Sequence, residues 1–116
     1  MLTSDDRARL THILDAIDKI GKALTGYSLT RFRDDWEKRL VIERLLEIIG
    51  EAANHISPEL QESHPNVPWS QMIGMRNVVS HQYFRINAET IWKTAAEAVP
   101  PLRRAVEQIL AEDSAS

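Results

Sequence analysis

The stretch Trp36–Ile56, WEKRLVIERLLEIIGEAANHI, determines the fold class of this 116-residue chain. Its apolar residues recur three and four positions apart, which is the spacing of one helix face. We predict a helix from about residue 28 to 56, with a short turn before residue 34. The apolar stripe, which starts at Phe32, is too wide for one helix contact, so this helix should contact neighbours on two sides. We therefore expect it to lie at the centre of a helical bundle and to form one copy's half of a dimer interface.

Gly50 stands inside this helix, where glycine lowers helix stability relative to alanine. A glycine that remains in such a position indicates that another backbone packs closely against it. We therefore predict a close helix contact at Gly50.

Further helices are predicted on both sides of the central one. Ser4 is the predicted N-cap of a helix over 4–24, and Ser57-Pro58 ends the central helix and starts a short one. Later helices are predicted over 68–81, over 88–99 with Asn87 as N-cap, and from the Pro100-Pro101 break to 111, before a frayed tail over 113–116. No segment has a convincing strand pattern. We predict an all-α fold, a four- to five-helix up-and-down bundle that dimerises, with residues 1–116 as one domain.

Composition excludes several classes of function. Seventeen acidic residues exceed 14 basic ones, giving a net charge of −3, which argues against a general nucleic-acid coat. The absence of cysteine excludes disulfides and thiolate metal sites, and the histidines at 12, 55 and 64 lack partners at ligand spacing. We therefore expect no metal and no cofactor. No apolar run reaches the roughly 20 residues that a membrane helix needs, and no signal peptide is recognisable, so we expect a cytoplasmic protein.

The stretch Arg76–Tyr83, RNVVSHQY, concentrates the polar chemistry of the chain. Histidine exchanges protons near neutral pH, and arginine binds phosphate oxygens, so His81 and Arg76 suit metal-free cleavage of a phosphodiester. Asn77 or Ser80 could hold the imidazole tautomer or contact a ribose. On one helix Arg76 and His81 point roughly 140° apart, so two copies across a two-fold axis would serve better than one. The plainer interpretation is that such an Arg and His form an ordinary surface pair.

At these residues the sequence resembles the HepT-like toxins of the HEPN superfamily. Arg76-x4-His81-x-Tyr83 is similar to the family signature R-x4-H-x-Y. Other family segments are matched in order over roughly residues 40 to 102: Ile49-Gly50-Glu51-Ala52, Pro68-Trp69, Gly74-Met75-Arg76-Asn77 and Ile91-Trp92.

The resemblance implies a dimeric helical toxin from a toxin–antitoxin pair. It implies a metal-independent endoribonuclease with Arg76 and His81 at the dimer cleft and RNA as substrate. It also implies an antitoxin that is a minimal, MntA-like nucleotidyltransferase and transfers AMP onto Tyr83. Glu51 is then either a solvated residue of the central helix or a partner that orients Arg76 or His81.

Two other functions remain open from the sequence. The chain could be a non-catalytic partner and substrate of a nucleotidyltransferase, which requires Tyr83 but no chemistry at His81. It could also be a dimeric helical scaffold, which explains the wide apolar stripe but leaves the polar stretch without a role. The three tryptophans, at positions 36, 69 and 92, lie at helical core spacing and are predicted to pack inside the bundle.

Overall fold

A computed structural model describes residues 2–77 and 87–115 of the chain. Every regular element in these two ranges is helical, which confirms the predicted all-α class. In chain order the α-helices are α1 (Ser4–Ala23), α2 (Leu29–Asp34), α3 (Trp36–Asn54), α4 (Pro58–Ser63), α5 (Trp69–Gly74), α6 (Ala88–Lys93) and α7 (Pro100–Ala115), and a π-helical turn (Thr94–Ala98) joins the last two. Among these helices, none combines the length and the apolar character needed to cross a bilayer.

Helix α1 begins one residue earlier than the predicted cap implies. The N-cap is Thr3 instead of Ser4, because the Thr3 hydroxyl accepts a hydrogen bond of 3.0 Å from the backbone N–H of Asp6. The acidic residues Asp5 and Asp6 follow in the first turn, where the helix dipole favours negative charge. The predicted apolar face of α1 is largely buried, with Leu10 and Ile13 fully inaccessible.

The predicted central helix over 28–56 is divided at Asp35 into α2 and α3. Asp35 has non-helical backbone angles (φ −112°, ψ 87°), and its carboxylate accepts a 2.9 Å hydrogen bond from the backbone N–H of Lys38. The hydroxyl of Tyr27 donates a second one, at 2.6 Å. These hydrogen bonds, first that from Tyr27, lower the pKa of Asp35, because they favour its ionised form. The ionised Asp35 is therefore the N-cap at which α3 begins, directly after the short α2.

Helix α3 lies at the centre of the bundle and packs against α1, α2, α5 and α6. Its inward face is fully buried at Ile42, Leu46 and Ile49. Trp69 is buried and the ring of Trp92 lies 5.5 Å from that of Phe32, so these two tryptophans pack as predicted. The prediction for Trp36 was wrong, since it is 62% exposed on the outward face of α3.

The start of α1 lies beside the ends of two other helices. The buried carboxylate of Asp6 accepts hydrogen bonds from the backbone N–H (2.9 Å) and the hydroxyl (2.6 Å) of Ser57, which caps α4 as predicted. Asp113 near the end of α7 pairs with Arg7 and accepts a 2.8 Å hydrogen bond from the backbone N–H of Leu2. The predicted frayed tail is therefore helical to Ala115.

The two prolines at 100 and 101 do not separate two helices as sharply as predicted. Pro100 is the first residue of α7, a position where the missing N–H of proline costs no helix hydrogen bond. The turn before it is π-helical, with the N–H of Val99 donating to the carbonyl of Thr94, five residues earlier, at 3.0 Å. Ala95 in this turn is still buried, so the apolar face continues from α6 into α7.

We expect Asp6→Ala to destabilise the fold by about 2 kcal/mol, because it leaves the partly buried N–H and hydroxyl of Ser57 without their acceptor. The control is Asp5→Ala, which removes a carboxylate from the same helix turn at an exposed position. Unfolding in urea should show the larger loss for Asp6→Ala, and equal losses would contradict the role assigned to its hydrogen bonds.

Candidate functional site

Arg76 follows the short helix α5, which the core holds firmly. Met72 and Met75 are buried, and the indole N–H of Trp69 donates a 3.0 Å hydrogen bond to the carbonyl of His64. After Gly74 the backbone turns, and the N–H of Arg76 donates to the carbonyl of Ile73 at 3.4 Å. The buried residues Met72 and Met75 thus set the position from which the Arg76 side chain extends.

The end of α5 touches α3 at Gly50. A β-carbon added to Gly50 would lie 2.5 Å from the backbone nitrogen of Arg76, 2.7 Å from its β-carbon and 3.0 Å from the carbonyl oxygen of Ile73. Such distances are too short for any side chain, so only glycine allows this approach. This confirms the close helix contact that was predicted at Gly50, and it identifies the end of α5 as the neighbour.

Glu51, the next residue of α3, contacts the side chain of Arg76. One guanidinium nitrogen lies 3.3 Å from a carboxylate oxygen of Glu51. The Arg76 side chain is 32% exposed and that of Glu51 is 52% exposed. Water therefore screens the pair, which orients the guanidinium more than it stabilises the fold. Glu51 is thus solvated and also lies against Arg76, and its role in orienting Arg76 or His81 stays a prediction.

Of the other predicted site residues, one lies within the described part of the chain and three lie outside it. Asn77 is exposed directly after Arg76. Ser80, His81 and Tyr83 lie outside the described residues, so their roles stay predictions. The structure thus brings Arg76 and Glu51 together, and Asn77 follows Arg76 in the chain as an exposed residue.

Glu43 is a second unusual carboxylate of α3, and sequence analysis missed it. Only 6% of the residue is exposed, and its Oε1 atom has no hydrogen-bond partner. Burial raises the pKa of Glu43, helped by the charge of Glu47 and opposed by that of Arg39. A sequence signal existed, since Glu43 stands seven residues before Gly50 and therefore on nearly the same face of the helix.

The Arg76 side chain is partly exposed, at 32%. Of two cavities elsewhere in the bundle, one of about 470 Å³ lies between the start of α1, α4 and the end of α7. The other, of about 510 Å³, lies between the end of α1 and the π-helical turn. Neither is lined by Arg76 or Glu51. Within the described ranges no three acidic or histidine side chains are grouped as a metal site would require.

Comparison with known proteins gives a consistent result. Residues 13–109 match a family model described as "HepT-like: Ribonuclease HepT-like". The chain is 36% identical over 107 residues to "Putative RNase MJ1380" of Methanocaldococcus jannaschii, and the aligned residues cover 92% of this chain and 98% of that protein. It is 36% identical over 107 residues to "Putative RNase TTE0752" of Caldanaerobacter subterraneus, with 92% and 96% covered.

A third relative carries a more specific name. The chain is 33% identical over 100 residues to "Probable ribonuclease HepT" of Thermococcus cleftensis, which covers 86% of this chain and 91% of that protein. No solved structure matches significantly. The comparisons thus rest on sequence, and they cover most of the chain and of each relative.

The contact at Gly50 predicts opposite results for two glycine-to-alanine changes. Gly50→Ala should destabilise the fold by about 2 kcal/mol, because the backbone of Arg76 must move away. Gly21→Ala in α1 has nothing within 4 Å of its added β-carbon and should stabilise by roughly 0.5 kcal/mol, since alanine favours a helix. Urea unfolding of both variants would measure this, and equal shifts would contradict the close contact.

The burial of Glu43 predicts a pH-dependent stability. The pKa of Glu43 is higher in the folded chain than in the unfolded one, so the folded state binds more protons between these two pKa values. The free energy of unfolding should therefore fall as the pH rises through this window. Glu43→Gln should raise it by about 1 kcal/mol at neutral pH, with the gain shrinking in acid.

The control for this measurement is Glu62→Gln, which removes an exposed carboxylate on α4. Thermal unfolding from acid to neutral pH should separate the two variants. A gain for Glu43→Gln that stays constant with pH would show that charge burial is not its cause.

Proposed function

Because the chain belongs to the HepT-like ribonuclease family, we propose that it is a metal-independent endoribonuclease and the toxin of a type II toxin–antitoxin pair. The observation that carries this proposal is the surface position of Arg76, whose backbone rests against Gly50 and whose guanidinium lies 3.3 Å from Glu51. A partly exposed arginine whose backbone position is fixed can bind the phosphate backbone of RNA.

Arg76 is proposed to bind the phosphate that is cleaved. Its planar guanidinium offers two parallel donors to the phosphate oxygens and stabilises the negative charge that grows on them in the transition state. The carboxylate of Glu51 competes with the phosphate for the same donors. Glu51 is therefore a positioning residue, which aims the guanidinium before RNA arrives and gives up a solvent-screened contact when the phosphate binds.

His81 is proposed to move the protons. In the reaction the 2′-oxygen of RNA forms a bond to phosphorus while the bond from phosphorus to the 5′-oxygen breaks. A neutral imidazole takes the proton of the 2′-hydroxyl, and an imidazolium gives a proton to the departing 5′-oxygen. We propose that His81 from two copies of a homodimer fills these two roles, with Asn77 and Ser80 supporting the imidazole or the ribose.

Tyr83 is proposed to be the point of control. A cognate MntA-like nucleotidyltransferase, acting as antitoxin, would transfer AMP onto its hydroxyl. The added phosphate brings negative charge and bulk next to the residues that bind the RNA backbone. Repulsion between this group and the substrate would then block cleavage without unfolding the toxin.

A second candidate function is favoured by the acidic surroundings of Arg76. Glu51 contacts Arg76 at 3.3 Å. A carboxylate in contact with an arginine weakens its attraction for a polyanion. On this alternative, the chain is a non-catalytic partner and substrate of the nucleotidyltransferase.

The test is an assay of growth and RNA cleavage in cells without any antitoxin. It compares the unmodified chain with His81→Ala, Tyr83→Phe and Glu51→Gln. We expect His81→Ala to lose both toxicity and cleavage, by about a hundredfold or more in rate. Tyr83→Phe should keep both toxicity and cleavage. Glu51→Gln should lower the rate of cleavage in part, because the guanidinium of Arg76 is then less well positioned.

Two results would contradict the ribonuclease proposal. One is a His81→Ala chain that remains toxic and cleaves RNA, since the proposed proton transfer would then be unnecessary. The other is an unmodified, folded chain that cleaves no RNA while Tyr83 is still modified by the nucleotidyltransferase. That second result would favour the non-catalytic partner.

A further inference from the structure

Two cations are held over the ring of Tyr27, in the segment that joins α1 to α2. The guanidinium carbon of Arg31 lies 4.2 Å from the centre of this ring, and the ammonium nitrogen of Lys38 lies 4.8 Å from it. An aromatic ring attracts cations over its face, because its quadrupole makes that face negative. We call Tyr27, Arg31 and Lys38 the Tyr27 cluster.

The ring that holds these cations is itself fixed in place. It packs against the hydrophobic core, and its hydroxyl donates a 2.6 Å hydrogen bond to the carboxylate of Asp35. Arg31 also donates a long hydrogen bond of 3.5 Å to the carbonyl of Gly26. Groups that are ordered before a ligand arrives lose less conformational entropy when they bind it, so this arrangement suits a binding site.

Both cations are available to an anion. Among the residues that the structure describes, neither forms a salt bridge, and Arg31 is exposed. Asp35 attracts both of them, but its carboxylate already accepts hydrogen bonds from the Tyr27 hydroxyl and from the backbone N–H of Lys38. With Asp35 counted against the two cations, the cluster retains an excess of positive charge.

The excess remains when every charged residue of this segment is counted. Residues 27–39 contain four basic and three acidic side chains, in a chain that is acidic as a whole: Arg31, Arg33, Lys38 and Arg39 against Asp34, Asp35 and Glu37. Asp34 and Glu37 are exposed, so water and salt screen their charges. The segment is thus a local positive area on an acidic protein, as a small RNA-binding surface requires.

Helix α6 lies against this segment and does not reverse its charge. Glu89 lies 3.6 Å from Arg33 and 3.3 Å from Lys93, so one carboxylate is shared by two cations. Arg39 turns towards the end of α2 and donates to the carbonyl of Arg33. Because α6 is the first described helix after residues 78–86, the segment is connected through α6 to the part of the chain that carries the proposed chemistry.

The composition of this surface suits a nucleic-acid backbone better than a protein partner. Thr30 beside Arg31 is an exposed hydroxyl residue, while Phe32, the aromatic residue of α2, is fully buried. Phosphate and sugar contacts come from arginine, lysine and hydroxyl side chains, whereas the centre of a protein interface is apolar. The exposed Trp36 does not supply such a centre, since it lies two positions before Lys38 and therefore roughly 160° away around α3.

We propose that the Tyr27 cluster binds the phosphate backbone of RNA at a second position on the strand, away from the bond that is cleaved. Arg31 offers two parallel donors to one phosphate, and Lys38 acts as a point charge on the same phosphate or the next one. Their charges are no more than about 9 Å apart, the sum of their distances to the ring centre, within reach of neighbouring phosphates. The inference rests on the proposed function in one respect, since the bound strand is the one that Arg76 and His81 would cleave.

Salt-dependent binding tests this subsite without any cleavage. The probe is a short, fluorescent, single-stranded RNA with 2′-O-methyl riboses, which lacks the hydroxyl that the proposed reaction needs. For the purified full chain, R31Q/K38Q should raise the dissociation constant of this probe by about tenfold at low salt. It should also reduce the slope of log affinity against log salt concentration by roughly 0.7 for each phosphate contact that is lost.

Two control variants separate the cluster from net charge. K19Q/R104Q removes the same number of positive charges from exposed positions on α1 and α7, and it should leave affinity and slope near those of the wild type. Lys38→Arg keeps the charge over the ring and should keep the slope. Equal losses for K19Q/R104Q and R31Q/K38Q would show that only the total charge matters, which would overturn the subsite.

Cleavage kinetics give a second measurement. R31Q/K38Q should raise the KM for RNA and leave kcat nearly unchanged, because a contact remote from the reacting atoms is equally strong in the ground state and in the transition state. A loss of kcat with an unchanged KM would contradict a role in binding the strand.

Other outcomes separate the subsite from the proposed function. An R31Q/K38Q chain that binds the probe with the affinity and slope of the wild type would overturn the subsite even if RNA is cleaved. So would a variant that keeps RNA binding and loses the nucleotidyltransferase, since that protein would then be the occupant. Displacement of the probe by an equal concentration of pyrophosphate would identify a site for small anions and would also overturn it. A chain that binds the probe with the expected salt dependence but cleaves no RNA supports the subsite and contradicts only the ribonuclease.

Discussion

The arrangement of the candidate site depends on one contact between two backbones, that of Gly50 with the turn that ends α5. A side chain of any size at position 50 would occupy the space of the Arg76 nitrogen and β-carbon. The absence of a side chain lets α5 lie directly on α3, and it brings Arg76 within reach of Glu51, the next residue. Packing and electrostatics are thus linked through adjacent positions of one helix. Helix stability is given up at Gly50 in exchange for the location of a guanidinium.

This location has an electrostatic consequence. Arg76 lies against Glu51 on a partly exposed surface. A substrate phosphate must therefore compete with a carboxylate that is already in place. Such competition keeps the arginine ordered when no RNA is bound and lowers its affinity for stray anions. Glu43, which is buried without a partner for one of its oxygens, destabilises the helix because a buried charge without a partner is costly.

Much of the fold could be predicted from the sequence because apolar spacing and capping residues act locally. Helix α1 was placed to within a residue or two, and Asn87 caps a helix as expected. The helix predicted from residue 28 has its long part only from Trp36, and α5, predicted to run from 68 to 81, ends at Gly74. A short turn was predicted just before residue 34, whereas the helix is divided at Asp35, whose carboxylate accepts a hydrogen bond from the Tyr27 hydroxyl, a contact that local spacing does not reveal. Trp36 was misplaced for a related reason, since periodicity indicates that residues share a face and does not indicate whether a neighbour covers it. The sequence left two alternatives for Glu51, a solvated residue or a partner of Arg76 or His81. Only the packing at Gly50 explains why Glu51 contacts Arg76.

The π-helical turn at Thr94–Ala98 gives the chain a place where its length can change. In an α-helix, losing one residue rotates everything beyond it by roughly 100°, which would turn a buried face towards water. A π-helical turn already holds one residue more than an α-helical turn, so a deletion there could be absorbed by a return to ordinary α-helix. The register between α6 and α7 is therefore a natural position for single-residue insertions and deletions among relatives, while the spacing within α3 and α5 is bound to the contact at Gly50.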